Sequence, residues 1–291
     1  MTNLCVVARV RPLFRSEQVN DSEECINIRG QQILLTDLQE VKCGLVADNR
    51  KRRRVFTFDH IFAPSADQDN QMLQAEIFSV LGTEALNSIF DGYNSSLFAY
   101  GQTGTGKTYT IFGTNDAPGL LPRLCNALLE HVKRNSDVDA TFNQQISILE
   151  IYNEKIRDLL VNSGKNEERK SLRVREHPDT GPYVEGLTKI TLNESNTVDS
   201  VISQGMSNRK TAENDVHRLS SRSHVICTIY YHEVRSDANF SREFKSKLSL
   251  IDLAGSEKAY KSLNCQRFDE GRNINLSLSS LSTVISKLGI D

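Results

Sequence analysis

Eight residues, Gly101-Gln102-Thr103-Gly104-Thr105-Gly106-Lys107-Thr108, constrain this chain more than any other stretch: they match G-x-x-x-x-G-K-[ST] at every fixed position. Where side chains are missing, successive backbone N–H groups can close around the negative charges of a nucleotide's phosphates. Lys107 is placed to set its ammonium against the terminal phosphates and Thr108 to offer a hydroxyl to Mg²⁺. The helix opening there turns its positive dipole end toward the anion. Ser96-Leu97-Phe98-Ala99-Tyr100 just ahead reads as a buried strand, so the loop lies between strand and helix, as a phosphate cradle requires. The dinucleotide pattern G-x-G-x-x-G is not met, because Gly104-Thr105-Gly106-Lys107-Thr108-Tyr109 ends on tyrosine.

A cradle needs groups that hold the metal and sense the last phosphate. Asp252-Leu253-Ala254-Gly255-Ser256-Glu257 follows the apolar run Leu248–Ile251, which puts an acid at a strand end within reach of Mg²⁺ through water, and Gly255 can offer its N–H to the γ-phosphate. Ser220-Ser221-Arg222-Ser223-His224 sets hydroxyls beside a permanent cation, ahead of another strand.

The rest of the chain is built to carry one such site. With 291 residues, 38% hydrophobic and 25% charged, it suits a single globular domain with a sizeable core. The 35 basic and 37 acidic residues leave a net charge of -2, which argues against a protein that wraps nucleic acid over its whole surface. Six cysteines without a C-x-x-C pair give neither a zinc site nor a disulfide framework, and a reducing, cytoplasmic setting is expected. No apolar run approaches the ~18 residues of a membrane span, so direct membrane insertion is not expected. Strands are predicted at Leu4–Val10, Ser96–Tyr100, Ile146–Tyr152, Val225–Tyr231 and Leu248–Leu253, and amphipathic helices at Gln71–Asn87 and Pro122–Lys133. This alternation predicts an α/β fold with a central mixed, mostly parallel sheet and helices on both faces. The basic run Arg50-Lys51-Arg52-Arg53-Arg54 and the charged stretch Asn162 to Lys170 read as loops.

In this order and spacing, the motifs resemble a kinesin motor domain, a P-loop NTPase. Arg9-Val10-Arg11-Pro12, Phe56–Phe62, Gly92-Tyr93-Asn94, Glu150–Glu154 with Arg157–Leu160, Ser220–His224 and Asp252–Glu257 carry the resemblance. Leu172–Pro178 and Gly181–Leu187 look most like the third kinesin family, the organelle transporters. The resemblance implies ATP/ADP and Mg²⁺ as ligands, microtubules (tubulin) as partner, and a place in the cytoplasm on the cytoskeleton. It also implies that Arg9, Arg11 and Pro12 border the adenine, with Tyr109 stacking on its other face. Gly101 to Thr108 would hold the phosphates, and Thr108, Ser221 and Asp252 would serve the metal. Ser220, Ser221, Arg222, Gly255 and Glu257 would do the catalytic work, with an Arg222–Glu257 ion pair closing two switch loops. Glu270 to Leu288 resembles the relay helix, its apolar side formed by Ile274, Leu278, Leu281, Ile285 and Leu288, and Arg173, Arg175 and Lys189 would face tubulin.

Three departures from the family stand out. His217 replaces the Asn of the first switch, and Leu276 replaces a Lys in the relay helix. The family pattern also continues beyond Asp291, so residues 1–291 are expected to be a motor domain lacking its last strand, helices and neck linker, and a cargo or dimer partner would need a tail. A kinesin-derived module that binds nucleotide or microtubules without stepping is the alternative expectation.

Overall fold

The computed structural model describes residues 4–14, 17, 25–36, 53–64, 69–135, 140–161, 171–178, 181–214, 222–237, 240–257 and 265–288. The chain divides into two compact units, Met1–Leu73 with Thr283–Asp291, and Gln74–Ser282. In the first, β1 (Val7–Arg9) runs parallel to β5 (His60–Phe62), while β2 (Ile26–Arg29), β3 (Gln32–Thr36) and β4 (Arg53–Thr57) form an antiparallel sheet. Arg50, Lys51, Arg52 and the stretch 162–170 lie outside the described residues, whereas Arg53 and Arg54 are exposed in β4.

The second unit is built on a sheet ordered β11 (Ile190–Thr191), β7 (Ala140–Tyr152), β12 (His224–Asp237), β13 (Phe240–Asp252), β6 (Ser95–Ala99), with β8 (Lys155–Asp158) also paired to β7. It is mixed, as expected, but its described pairs run antiparallel apart from β6 with β13, so it is not mostly parallel. The reason is local: β12 and β13 are long neighbours joined by a short connection, and such a hairpin is necessarily antiparallel. β7 turns into β8 through Asn153 and Glu154, both at positive φ (48° and 61°), the backbone that matches a tight hairpin to strand twist. A smaller hairpin, β9 (Val174–His177) with β10 (Gly181–Val184), stands apart from this sheet.

Both faces of the sheet carry helices. Register puts Ile146, Ile148, Cys227, Ile229 and Tyr231 on one face, all 1% exposed or less. Against it lie α4 (Leu120–Arg134), whose Leu120, Leu121, Leu124, Cys125, Leu128 and Leu129 are buried at three-and-four spacing, and α5 (Ser195–Asn214), where a Cβ added to Gly205 would meet Ile148 at 3.0 Å. On the other face His224 reaches α6 (Cys265–Leu288). The helix predicted at Gln71–Asn87 is α1 (Asn70–Ile77), a π turn (Phe78–Gly82) and α2 (Thr83–Phe90). Its buried residues Leu73, Ile77, Ala85 and Ile89 recur in multiples of four, which drifts around a 3.6-residue helix, and one wide turn takes up the drift. Among the described residues, no helix is long and apolar enough to cross a membrane.

His131 of α4 stacks on Phe90 at 3.9 Å, and burial holds its pKa below the ordinary 6.5. Burial does the same to His224. A group whose folded pKa is depressed binds more protons when unfolded, so its stabilisation is complete above 6.5 and is lost as pH falls through the folded value. Urea unfolding is therefore expected to show stability falling as pH is lowered below 6.5, with a smaller fall in His131→Phe.

Candidate functional site

β6 leads through Tyr100 into the glycine loop, and the loop into α3 (Lys107–Ile111). Gly104 and Gly106 hold φ of 81° and 98°, which side-chain-bearing residues rarely adopt, and neither has an atom within 4 Å of where a Cβ would stand. The loop therefore presents bare backbone to open space at the helix N-terminus. Lys107 folds over it, Nζ donating to the carbonyls of Gly101 and Gln102 at 2.9 Å each. Burial lowers the Lys107 pKa, and the nearby charges of Asp252 and Glu257 partly offset that. Thr108 Oγ1 donates to Asp252 Oδ2 at 2.7 Å.

Asp252, at the end of β13, is the electrostatic centre. Its Oδ2 also takes Arg209 Nη1 of α5 at 3.0 Å, and both side chains are 2% exposed. Its Oδ1 is buried without a hydrogen-bond partner among the described residues, an acceptor directed at a donor such as metal-bound water. The hydroxyl, the carboxylate with one oxygen to spare and the open glycine loop are hard oxygen ligands and anion donors, and they fit a magnesium-bound polyphosphate.

The loop after β13 is fastened to the cradle. Leu253 N donates to Ala99 O at 3.2 Å and Ser256 N to Gly101 O at 3.1 Å. Glu257 accepts from Thr103 N at 2.9 Å and from Thr103 Oγ1. Burial works against ionisation of Glu257, but the Thr103 hydrogen bonds and the Lys107 charge outweigh it and hold its pKa below the usual range. A Cβ on Gly255 would meet the Glu257 carboxylate and the Thr103 hydroxyl, so a side chain there would have to displace the contact that joins these two loops.

With both Glu257 oxygens turned to Thr103, the Arg222–Glu257 pair is not made, and Arg222 instead lines a small cleft with Glu154, His224, Ile274 and Ser277. Ser220, Ser221 and His217 lie outside the described residues. In the first unit, Arg11 makes a bidentate pair with Glu17 at 2.7 and 2.8 Å, donates to Pro12 O and covers the Phe14 ring at 4.1 Å. Those Arg11 hydrogen bonds bring the Glu17 pKa down to about 2. Arg9 lies in β1, and Tyr109 is half-buried in α3, its carbonyl held by Gln74 Nε2 at 2.8 Å. Arg175 pairs with Glu185 at 3.0 Å and Lys189 covers Tyr230 at 4.1 Å, so both are engaged within the chain. In α6, Ile274, Leu278, Leu281 and Ile285 are half-buried, but Leu288, at the helix end, is exposed, as is Leu276. Arg209 went unread in the sequence, because a lone arginine in a polar helix carries no motif.

Strand, glycine loop and helix, with an acid at the end of the neighbouring parallel strand, define a P-loop nucleotide-binding fold. The Kinesin motor domain model matches residues 9–291, and the chain belongs to that family. It is 41% identical to mouse kinesin-like protein KIF16B over 99% of this chain and 22% of that protein. It is 40% identical to human StAR-related lipid transfer protein 9 over 99% of this chain and 6% of that protein. The chain thus spans less than a quarter of these relatives' length. A solved structure of KIF14 with ADP in complex with a microtubule superposes with a TM-score of 0.82 at 31% identity, covering 98% of this chain and 78% of that one.

Proposed function

We propose that this chain is an ATP-hydrolysing, microtubule-based motor domain, with the cradle as its nucleotide site. The observation that carries the reading is the fastening of the loop after β13 to the glycine loop, through Ser256 N to Gly101 O and Glu257 to Thr103. Whatever occupies the cradle presses on a loop that leads toward α6. ATP is the substrate; Lys107 and the N–H groups of residues 102–108 bind and orient its phosphates. Thr108 and Asp252, with Ser221, would hold Mg²⁺, which when bound neutralises phosphate charge. Arg209 supplies the counter-charge to Asp252 and fixes the carboxylate in its buried position.

Few side chains do covalent work in phosphoryl transfer, so the rate comes from orienting the attacking water and stabilising charge. The Gly255 N–H is the group suited to the terminal phosphate. Glu257 would leave Thr103 for Arg222 as the loops close. Opening after phosphate release would return Glu257 to Thr103. The reading rests on the family, whose KIF14 structure is a complex with a microtubule.

Steady-state ATPase assays with and without taxol-stabilised microtubules test it. Turnover is expected to rise about tenfold or more, a barrier lowered by ~1.4 kcal/mol. Turnover indifferent to microtubules, or no co-sedimentation with them, would reject the motor reading.

A further inference from the structure

We propose that His224 is a positioning residue that ties the phosphate-facing loop to α6, with Ser277 as its receiver. The proposal rests on the motor reading for its consequence and on geometry for its mechanism. His224 is 8% exposed at the first position of β12, directly after the serine-rich run in the sequence. Its Nδ1 accepts from Ala254 N at 3.1 Å, and Ala254 is the residue before Gly255. Its Nε2 lies 3.0 Å from Ser277 Oγ in α6, and that hydroxyl donates to Ile274 O at 2.8 Å.

These contacts fix the direction of every hydrogen bond. Because a backbone N–H points at Nδ1, that nitrogen must be the acceptor, so the proton sits on Nε2 and is donated to Ser277. Ser277 then passes its own hydrogen to the Ile274 carbonyl. Each donor along Ala254, His224 and Ser277 has one acceptor, the chain ends on the second lone pair of the Ile274 helix carbonyl, and such chains strengthen cooperatively. An imidazole is rigid, so its two nitrogens move together. When Gly255 shifts toward a phosphate it carries Ala254 N–H with it, and the ring must either draw Ser277 along or lose a bond. Three segments therefore meet on one side chain: Arg222-Ser223 through the chain itself, the loop after β13 through Nδ1, and α6 through Nε2. Neither His224 nor Ser277 touches the cradle, so both can be changed without removing a nucleotide ligand.

The test uses the full chain and three substitutions. Ser277→Ala removes the receiver, and Ser277→Thr keeps a hydroxyl. His224→Asn retains an acceptor at the Nδ1 position but is too short to reach α6. Ser277→Ala and His224→Asn are expected to leave basal ATPase and nucleotide affinity within about twofold while microtubule stimulation drops roughly three- to tenfold, the worth of one net hydrogen bond. Ser277→Thr should restore it, and the double variant should be no worse than either single one, because both cut the same link. Wild-type stimulation in Ser277→Ala, or losses that multiply in the double variant, would overturn the proposal. A second readout is independent of activity: ¹⁵N chemical shifts of His224 should report the neutral Nε2–H tautomer, and an Nδ1–H or cationic ring at neutral pH would overturn the link. If wild type shows no stimulation while the tautomer is as stated, the motor reading fails and the link stands.

Discussion

ATP turnover by Lys107→Ala is expected to fall about a hundred- to a thousandfold, the usual consequence of removing a preorganised donor from a site of developing negative charge. Lys107 suits that role for reasons visible in its surroundings. Its ammonium is partly desolvated, and it lies among the negative charges of Asp252 and Glu257 and two carbonyls at 2.9 Å. Incoming phosphate oxygens would replace those weak neutral acceptors with charged ones, so the interaction strengthens as charge develops. The fold should survive, because Gln102 through Thr105 are exposed and the lost bonds go to the loop itself. Circular dichroism should match wild type while turnover is lost. A Lys107→Ala chain retaining turnover within threefold of wild type would refute the assignment. Lys107→Arg is not a rescue, since a planar fork does not replace a compact ammonium at this position.

Arg209→Ala should destabilise the fold by about 3–5 kcal/mol, seen as a large drop in the urea midpoint. Arg209 and Asp252 are each 2% exposed and 3.0 Å apart, so truncating the arginine leaves a carboxylate buried without its counter-charge. Thr108 would still donate to Asp252, but one hydroxyl does not compensate a buried ion. The double change Arg209→Met with Asp252→Asn removes both charges together and is expected to recover most of the stability, as neutral replacement of buried pairs often does. Turnover should not recover with it, because Asp252 is also proposed to serve the metal. A single Arg209→Ala costing under 1 kcal/mol would show that the pair is solvated or carries no such weight.

How much could be read without coordinates follows from how local each feature is. The glycine loop was legible because its function depends on backbone conformation at consecutive positions, and Gly104, Gly106, Lys107 and Thr108 stand as the motif requires. The helix predicted at Pro122–Lys133 appears as α4, its periodicity set by one buried face. The strands Ile146–Tyr152 and Val225–Tyr231 appear as parts of longer β7 and β12. Their extensions past the apolar runs were not legible, because there the ladder continues on backbone hydrogen bonds. The predominance of antiparallel pairing was missed for a related reason: strand direction depends on which strands become neighbours.

Side chains whose partners are distant in sequence were the least legible. The Glu257 pair with Thr103 joins residues 154 positions apart, and Arg209 with Asp252 joins residues 43 apart. His224 was visible as the end of a serine-rich motif, but its two partners were not. The Arg11 pair with Glu17, six residues on, was likewise not written in any motif.

By itself the sequence determined that a phosphate cradle stands between a strand and a helix, that an acid follows an apolar strand, and that the chain belongs with kinesin motor domains. Those features are written in contiguous residues, where backbone freedom and hydrophobic period suffice. Tertiary structure alone decided which partner each charge takes: Asp252 with Arg209, Glu257 with Thr103, and His224 between a loop and a helix. The physical reason is that a buried charge or hydrogen-bonding group must be satisfied by whatever packing brings near it, and packing brings together residues that no spacing in the chain foretells.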